Sequence, residues 1–201
     1  GQETLNLADV NGKPLFKWIQ EEALERPHYG WTHYQWQTPE SSTPVWKSSL
    51  FTLAADKTGG QYIVGSGMYH AQPERKFVED TVSQAVALFE KLGPKAFPEF
   101  KNKAGKFLYG EIYLFIYDMN GVNIMHAATP QLEGKNLIDY KDPKGFPVIK
   151  TIVETAKKGE GWIQYYWAEP GFKGDHKKEA FIKKASYDGK DYAVGSGYYL
   201  N

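Results

Sequence analysis

One stretch of this chain occurs twice, and that repeat restricts the fold more than any other feature. Trp31, Tyr34, Trp36, Pro39 and Lys47 recur as Trp162, Tyr165, Trp167, Pro170 and Lys178, each pair 131 residues apart. Tyr62, Val64, Gly65, Ser66, Gly67 and Tyr69 recur as Tyr192, Val194, Gly195, Ser196, Gly197 and Tyr199, 130 apart, so a single deleted residue separates the two blocks. Upstream, Pro14, Lys17, Ile19, Glu21 and Ala23 answer to Pro147, Lys150, Ile152, Glu154 and Ala156, and Leu7 and Asp9 to Leu137 and Asp139. The period is far longer than the roughly 50 residues of a solenoid unit. It is the size of a small domain, and the pattern reads as a tandem duplication of one module. The second copy carries a long segment before Leu137, about Pro73 to Glu133, that the first copy lacks. The expectation is that the chain is a piece of a longer protein, or that another chain supplies the missing part.

Composition limits the function classes. At 41% hydrophobic and 24% charged residues the chain is globular. Lys+Arg and Asp+Glu number 24 each, so net charge gives no case for nucleic acid or an anionic membrane as partner. No apolar run approaches the ~20 residues that span a bilayer, so a membrane would be reached only through segments outside this sequence. Zero cysteines exclude disulfides and thiolate chemistry and suit an oxidising compartment. The five histidines show no metal-binding spacing, and neither a metal nor a cofactor is expected.

Periodicity supplies the elements. Pro14–Glu25 reads as a helix, followed by strands over Gly30–Gln37, Lys47–Ala55 and Gln61–His70. From Pro73 the period turns helical, with Val78, Val82, Ala85, Phe89 and Leu92 on one stripe and Gly93 as a stop. A short amphipathic piece, Lys95–Phe100, comes next. Strands Glu111–Asp118 and Val122–His126 flank a Met119-Asn120-Gly121 turn. A helix over Val148–Lys158 then leads into strands Gly161–Trp167, Lys178–Tyr187 and Asp191–Leu200. Five antiparallel strands with helices against them make an α+β arrangement. Two domains are expected: residues 1–70, a helix plus three closing strands, and residues 71–201, a complete module.

Several motifs have bland readings. Gly-Ser-Gly at 65–67 and 195–197 fits neither a nucleophile elbow nor a dinucleotide loop, because a strand continues through it; small residues there are read as permitting a helix to pack on the last strand. Asp118-x-Asn120-Gly121 lacks the remaining ligands of a calcium loop and is a hairpin turn. No acid/base pair or nucleophile constellation stands out, so the chain is not read as an enzyme.

The string Tyr113-Leu114-Phe115-Ile116-Tyr117-Asp118, with Gly121, His126, Pro130 and Gly134-Lys135-Asn136 after it, resembles the front half of a Cache domain. Gly161-Trp162, Tyr165-x-Trp167, Pro170, Lys178-x-x-Phe181 and Tyr192-x-Val194-Gly195-Ser196-Gly197-x-Tyr199 are similar to that family's closing strands. Phe181 stands where tyrosine is usual, and Ala127 follows His126 where proline is common. The resemblance implies a PAS-like extracytoplasmic sensor module with a five-stranded antiparallel sheet, a long N-terminal helix and a pocket for a small organic ligand. It places the chain on the periplasmic or extracellular side, as the ligand-binding region of a signal-transduction protein. The alternatives are a free-standing periplasmic binding protein of tandem modules and, further off, an enzyme acting on a small acid.

The resemblance also directs the site reading. The pocket is expected in the second module, bounded by Tyr113, Phe115, the loop from His126 to Lys135, Tyr165 and Lys178. A small carboxylate leaving water needs a cation and converging donors. Lys178 is expected to supply the charge, with His126 and Tyr165 as directional donors. The partial first module should expose a sheet edge and favour a homodimer.

Overall fold

The computed structural model describes residues 6–10, 12–24, 29–69, 73–103, 105–109 and 111–200. It divides into two compact units, Gly1–Phe77 and Val78–Asn201.

In the first unit, α1 (Leu15–Leu24) precedes β1 (Tyr29–Thr38), β2 (Ser41–Ala55) and β3 (Gln61–Tyr69), an antiparallel sheet in the order β1-β2-β3. The predicted helix and strands appear at nearly the predicted bounds; His70 and Glu25 lie outside the described residues. The second strand starts six residues early, at Ser41, because Pro39-Glu40 closes a tight turn that puts Ser41 opposite Thr38. The last turn is held by Asp56, whose carboxylate accepts hydrogen bonds from the backbone of Thr58 and Gly60 and from the Thr58 and Tyr62 hydroxyls.

The second unit takes up most of α2 (Pro73–Leu92), then α3 (Phe97–Phe100), β4 (Phe115–Asp118), β5 (Asn123–His126), α4 (Val148–Lys157), β6 (Glu160–Ala168), β7 (Asp175–Tyr187) and β8 (Lys190–Tyr199). Its sheet is the expected five-stranded antiparallel one, in the order β5-β4-β8-β7-β6. The front and closing halves therefore meet where β4 pairs with β8, Phe115 opposite Gly195 and Tyr117 opposite Ala193. The stripe read on α2 is buried at Val78, Val82, Ala85 and Phe89, while Leu92 is partly exposed. On α4, Val148, Ile149, Ile152, Val153 and Ala156 fall on one buried face, each larger side chain contributing about 1.5–3 kcal/mol by burial. The β4–β5 turn is tied by Asp118 Oδ1, which accepts from the backbone of Asn120 and Val122. Among the described residues, no helix is long and apolar enough to cross a membrane.

The small residues of β8 have a different cause from the one expected. A Cβ on Gly195 would sit 2.5 Å from the Phe115 ring, and one on Gly197 would overlap the Glu179 carbonyl oxygen and Ala180. Neighbouring strands, and the ring of Phe115, demand the glycines; helix packing does not. In the first unit a Cβ on Gly65 meets nothing closer than 3.2 Å, the Leu50 carbonyl oxygen. Gly197→Ala is therefore expected to destabilise the second unit by about 1–3 kcal/mol through overpacking, and Gly65→Ala to cost the first unit less than half of that, both read by urea denaturation.

β3 and β8 share one sequence pattern but not one environment. β8 is covered on its outer edge by β4, whereas β3 is an edge strand with Tyr62, Val64 and Met68 more than half exposed. An unpaired apolar edge is a template for pairing. Self-association at high concentration is the expected result, abolished by Val64→Lys; sedimentation of a strict monomer in both proteins would refute it.

Candidate functional site

The site is built on the face of the second sheet that α4 covers. Alternation along the chain from Tyr113 puts Tyr113, Phe115 and Tyr117 on that face. His126 ends β5 opposite Phe115, and Tyr165 and Trp167 come from β6. With Val148, Ile149 and Ile152 of α4 they enclose a cavity of about 10 Å³, room for roughly one water. Tyr113 is held in place through its backbone, where the Ser196 hydroxyl donates to its carbonyl oxygen at 2.9 Å. Its own hydroxyl lies 3.2 Å from that of Tyr199. Since Tyr199 donates its proton to the Ala168 carbonyl at 2.6 Å, Tyr113 is the donor between them.

Lys178 sits beside this chamber, paired in register with Tyr165 on β6 and Tyr199 on β7's other side. It is completely buried. Its Nζ lies 3.6 Å from the centre of the Tyr113 ring, 4.8 Å from that of Tyr199 and 6.0 Å from that of Phe115, and has no hydrogen-bond partner among the described residues. Two opposed effects act on it. Aromatic faces stabilise a desolvated ammonium by about 2 kcal/mol, while removing the ammonium from water costs several. Burial wins, holding the amine well below the usual lysine pKa, with Glu111 and Glu169 acting in the opposite sense.

His126 is also buried. Its Nδ1 accepts a hydrogen bond from the Thr129 backbone N–H at 2.9 Å, which leaves Nε2 to carry the ring proton. Burial, with the charge of Lys178 adding to it whenever that amine is protonated, pushes its pKa down to about 3. The ring is thus a neutral donor with a fixed tautomer, stacked near Phe115 and Trp167. Its backbone N–H donates to Glu133 Oε1, itself paired with Lys101 at 2.7 Å. Burial raises the Tyr165 hydroxyl well above its usual pKa, so it too stays protonated.

Of the six residues expected from the sequence, Tyr113, Phe115, His126 and Tyr165 line the cavity and Lys178 abuts it. Lys135 does not join them. It is exposed, and its backbone accepts from Asn123 N–H and donates to the Leu132 carbonyl. The 3₁₀ turn over Pro130–Leu132 carries the loop outward before Lys135 is reached. Sequence reasoning missed Tyr199. A signal for it existed: the lysine–tyrosine pair is itself repeated, Lys47 Nζ donating to the Tyr69 hydroxyl at 3.3 Å.

The first unit bears the same positions in open form. Lys47, Tyr34 and Ser49 border a trough of about 450 Å³ on the α1 side of its sheet. The wall that Tyr113, Phe115 and His126 provide in the second unit has no counterpart there among the described residues. Lys47 is accordingly only partly buried and hydrogen-bonded.

Comparison with known proteins agrees with the fold. The sequence model of the Cache domain family matches residues 99–201. The sensor histidine kinase MctS of Rhizobium johnstonii is 38% identical over 89 residues, 44% of this chain and 19% of that protein. The methyl-accepting chemotaxis protein McpP of Pseudomonas putida is 32% identical over 90 residues, 44% of this chain and 16% of its own length. The chain thus matches less than a fifth of either relative. A solved Cache chemosensory domain, described for its recognition of carboxylic acids, is 28% identical with a TM-score of 0.53, covering 65% of this chain and 93% of its own.

Proposed function

The chain belongs to the Cache domain family, and from that we propose that its second unit is the ligand chamber of an extracytoplasmic sensor for a small carboxylate. Its relatives are a sensor kinase and a chemotaxis receptor, and Cache domains are extracytoplasmic sensing modules; this chain carries the sensing part. The observation that supports a carboxylate is Lys178, a buried amine with no acceptor of its own among the described residues, set beside the neutral donors His126 and Tyr165. An anion bound there is met by the amine of Lys178, charged in the complex, and by directional hydrogen bonds inside apolar walls, the combination that offsets its lost hydration. The small cavity favours a ligand of few carbons, since every added methylene must displace packed side chains. The tandem arrangement belongs to the same reading: residues 1–70 repeat the closing half of the module, and the complete chamber lies within residues 71–201. The periplasmic or extracellular side of the membrane is the matching location.

A thermal-shift screen over one- to six-carbon carboxylates, amino acids and amines tests this. A small carboxylate at 100 times its Kd should add about 2.7 kcal/mol of stability. Shifts with amines and none with carboxylates would overturn the reading.

A further inference from the structure

Lys178 raises a question that the charge it offers does not answer: what state the free chamber keeps it in. Tyr113, Phe115 and Tyr199 present aromatic faces to its Nζ. On β6, its register partner Tyr165 is a buried, protonated phenol. On β5, His126 is a neutral imidazole, and α4 lines the chamber with Val148, Ile149 and Ile152 alone. Glu111 and Glu169 act on it only through space; neither accepts a hydrogen bond from it. A completely buried ammonium without an acceptor is the costlier form, so the free site holds Lys178 as the amine.

We propose that the chamber takes its carboxylate together with one proton, which ends on Lys178 Nζ. This rests on the proposed function. The balance is simple: the free amine and one proton from solvent become an ammonium, which donates to the incoming carboxylate, and no covalent bond to the ligand forms. His126 cannot take that proton without losing a contact, because Nδ1 already accepts from Thr129 and Nε2 is already protonated. The tyrosines have none to accept. The sensor would therefore respond to the product of carboxylate and proton activity, and so to weak acid more strongly as the surroundings acidify.

Isothermal titration of the chain with acetate, in phosphate and in Tris at pH 7.5, reads the proton directly. The apparent enthalpy plotted against the buffer's ionisation enthalpy should have a slope of about one proton per acetate, and Kd should rise about tenfold from pH 7 to pH 8. Lys178→Arg, whose guanidinium stays charged, should bring the slope to about zero. Acetate binding with zero slope in the unaltered chain would overturn this inference and leave the proposed function standing. No binding of any one- to six-carbon carboxylate would remove both. The ¹³Cε and ¹⁵Nζ signals of Lys178 give a ligand-free check: an amine at pH 7 that becomes ammonium on adding acetate is expected, and an ammonium in the free protein would refute it.

Discussion

Lys178→Met should abolish carboxylate binding while making the second unit more stable. The two effects have opposite signs because the lysine serves the ligand and not the fold. In the free protein its Nζ is buried among three rings with nothing to donate to, so a methionine of similar length fills the space without the desolvation cost. A buried polar group left without a hydrogen-bond partner costs about 1–3 kcal/mol, so its replacement by an apolar side chain should raise the melting temperature of the second unit. Removing one partner of a buried charge pair costs about 2–5 kcal/mol of binding, a loss of about 30-fold or more in affinity for whichever carboxylate the screen identifies. Lys47→Met is the control. Lys47 is hydrogen-bonded to Tyr69 in an open trough, and its loss should change that affinity less than twofold. Calorimetry on both variants decides the matter: equal, negligible effects would sink the site assignment.

Much of this could be read from residues alone, because the repeat ties sheet strands to one another. The repeat marks Lys178 and Tyr165 as equivalent to Lys47 and Tyr34, and the register of β6 and β7 places Lys178 and Tyr165 opposite each other, as that of β1 and β2 does Lys47 and Tyr34. The turn at Asp118 and the buried stripe of α4 follow from local chemistry and a 3.6-residue period. What could not be read depends on the third dimension. The strand expected from Glu111 begins only at Phe115, since Tyr109 and Ile112 bond each other across a tight turn and Tyr113 is tied to the Ser196 side chain. The reason for Gly195 is a ring 80 residues earlier in sequence, which no local pattern announces. Lys135 looked like a pocket residue because it closes the loop after His126; a 3₁₀ turn, invisible to periodicity, turns it outward. Lys178 itself resembled the solvated lysines at 177, 183 and 184, and only the register of three strands buries it.

Mild acid should weaken the second unit well before its carboxylates titrate. His126 has a folded pKa of about 3 against about 6.5 in the unfolded chain. Below 6.5 the unfolded state takes up a proton that the folded state refuses, so stability falls with pH from 6.5 down to about 3 and is unaffected by this group above 6.5. By pH 4.5 the loss reaches about 2.7 kcal/mol in the unaltered chain and less once the charge of Lys178 is removed. Asp142, whose carboxylate accepts from the backbone of Lys144, Phe146 and Tyr166, is held below the usual carboxylate range. Its contribution is present above about 3.8 and lost only below, so the two windows separate. Lys178 acts in the same direction as His126, its folded pKa being depressed too, and the measurement is therefore made in the Lys178→Met background. There, urea denaturation followed by hydrogen exchange of the β4 and β8 amides should show the stability falling between pH 6.5 and 4.5. Adding His126→Phe should lower stability at pH 7 by about 1–3 kcal/mol, because Thr129 N–H loses its acceptor, and should flatten the pH dependence. A slope that survives His126→Phe would place the acid sensitivity elsewhere and refute the neutral, buried state assigned to this ring.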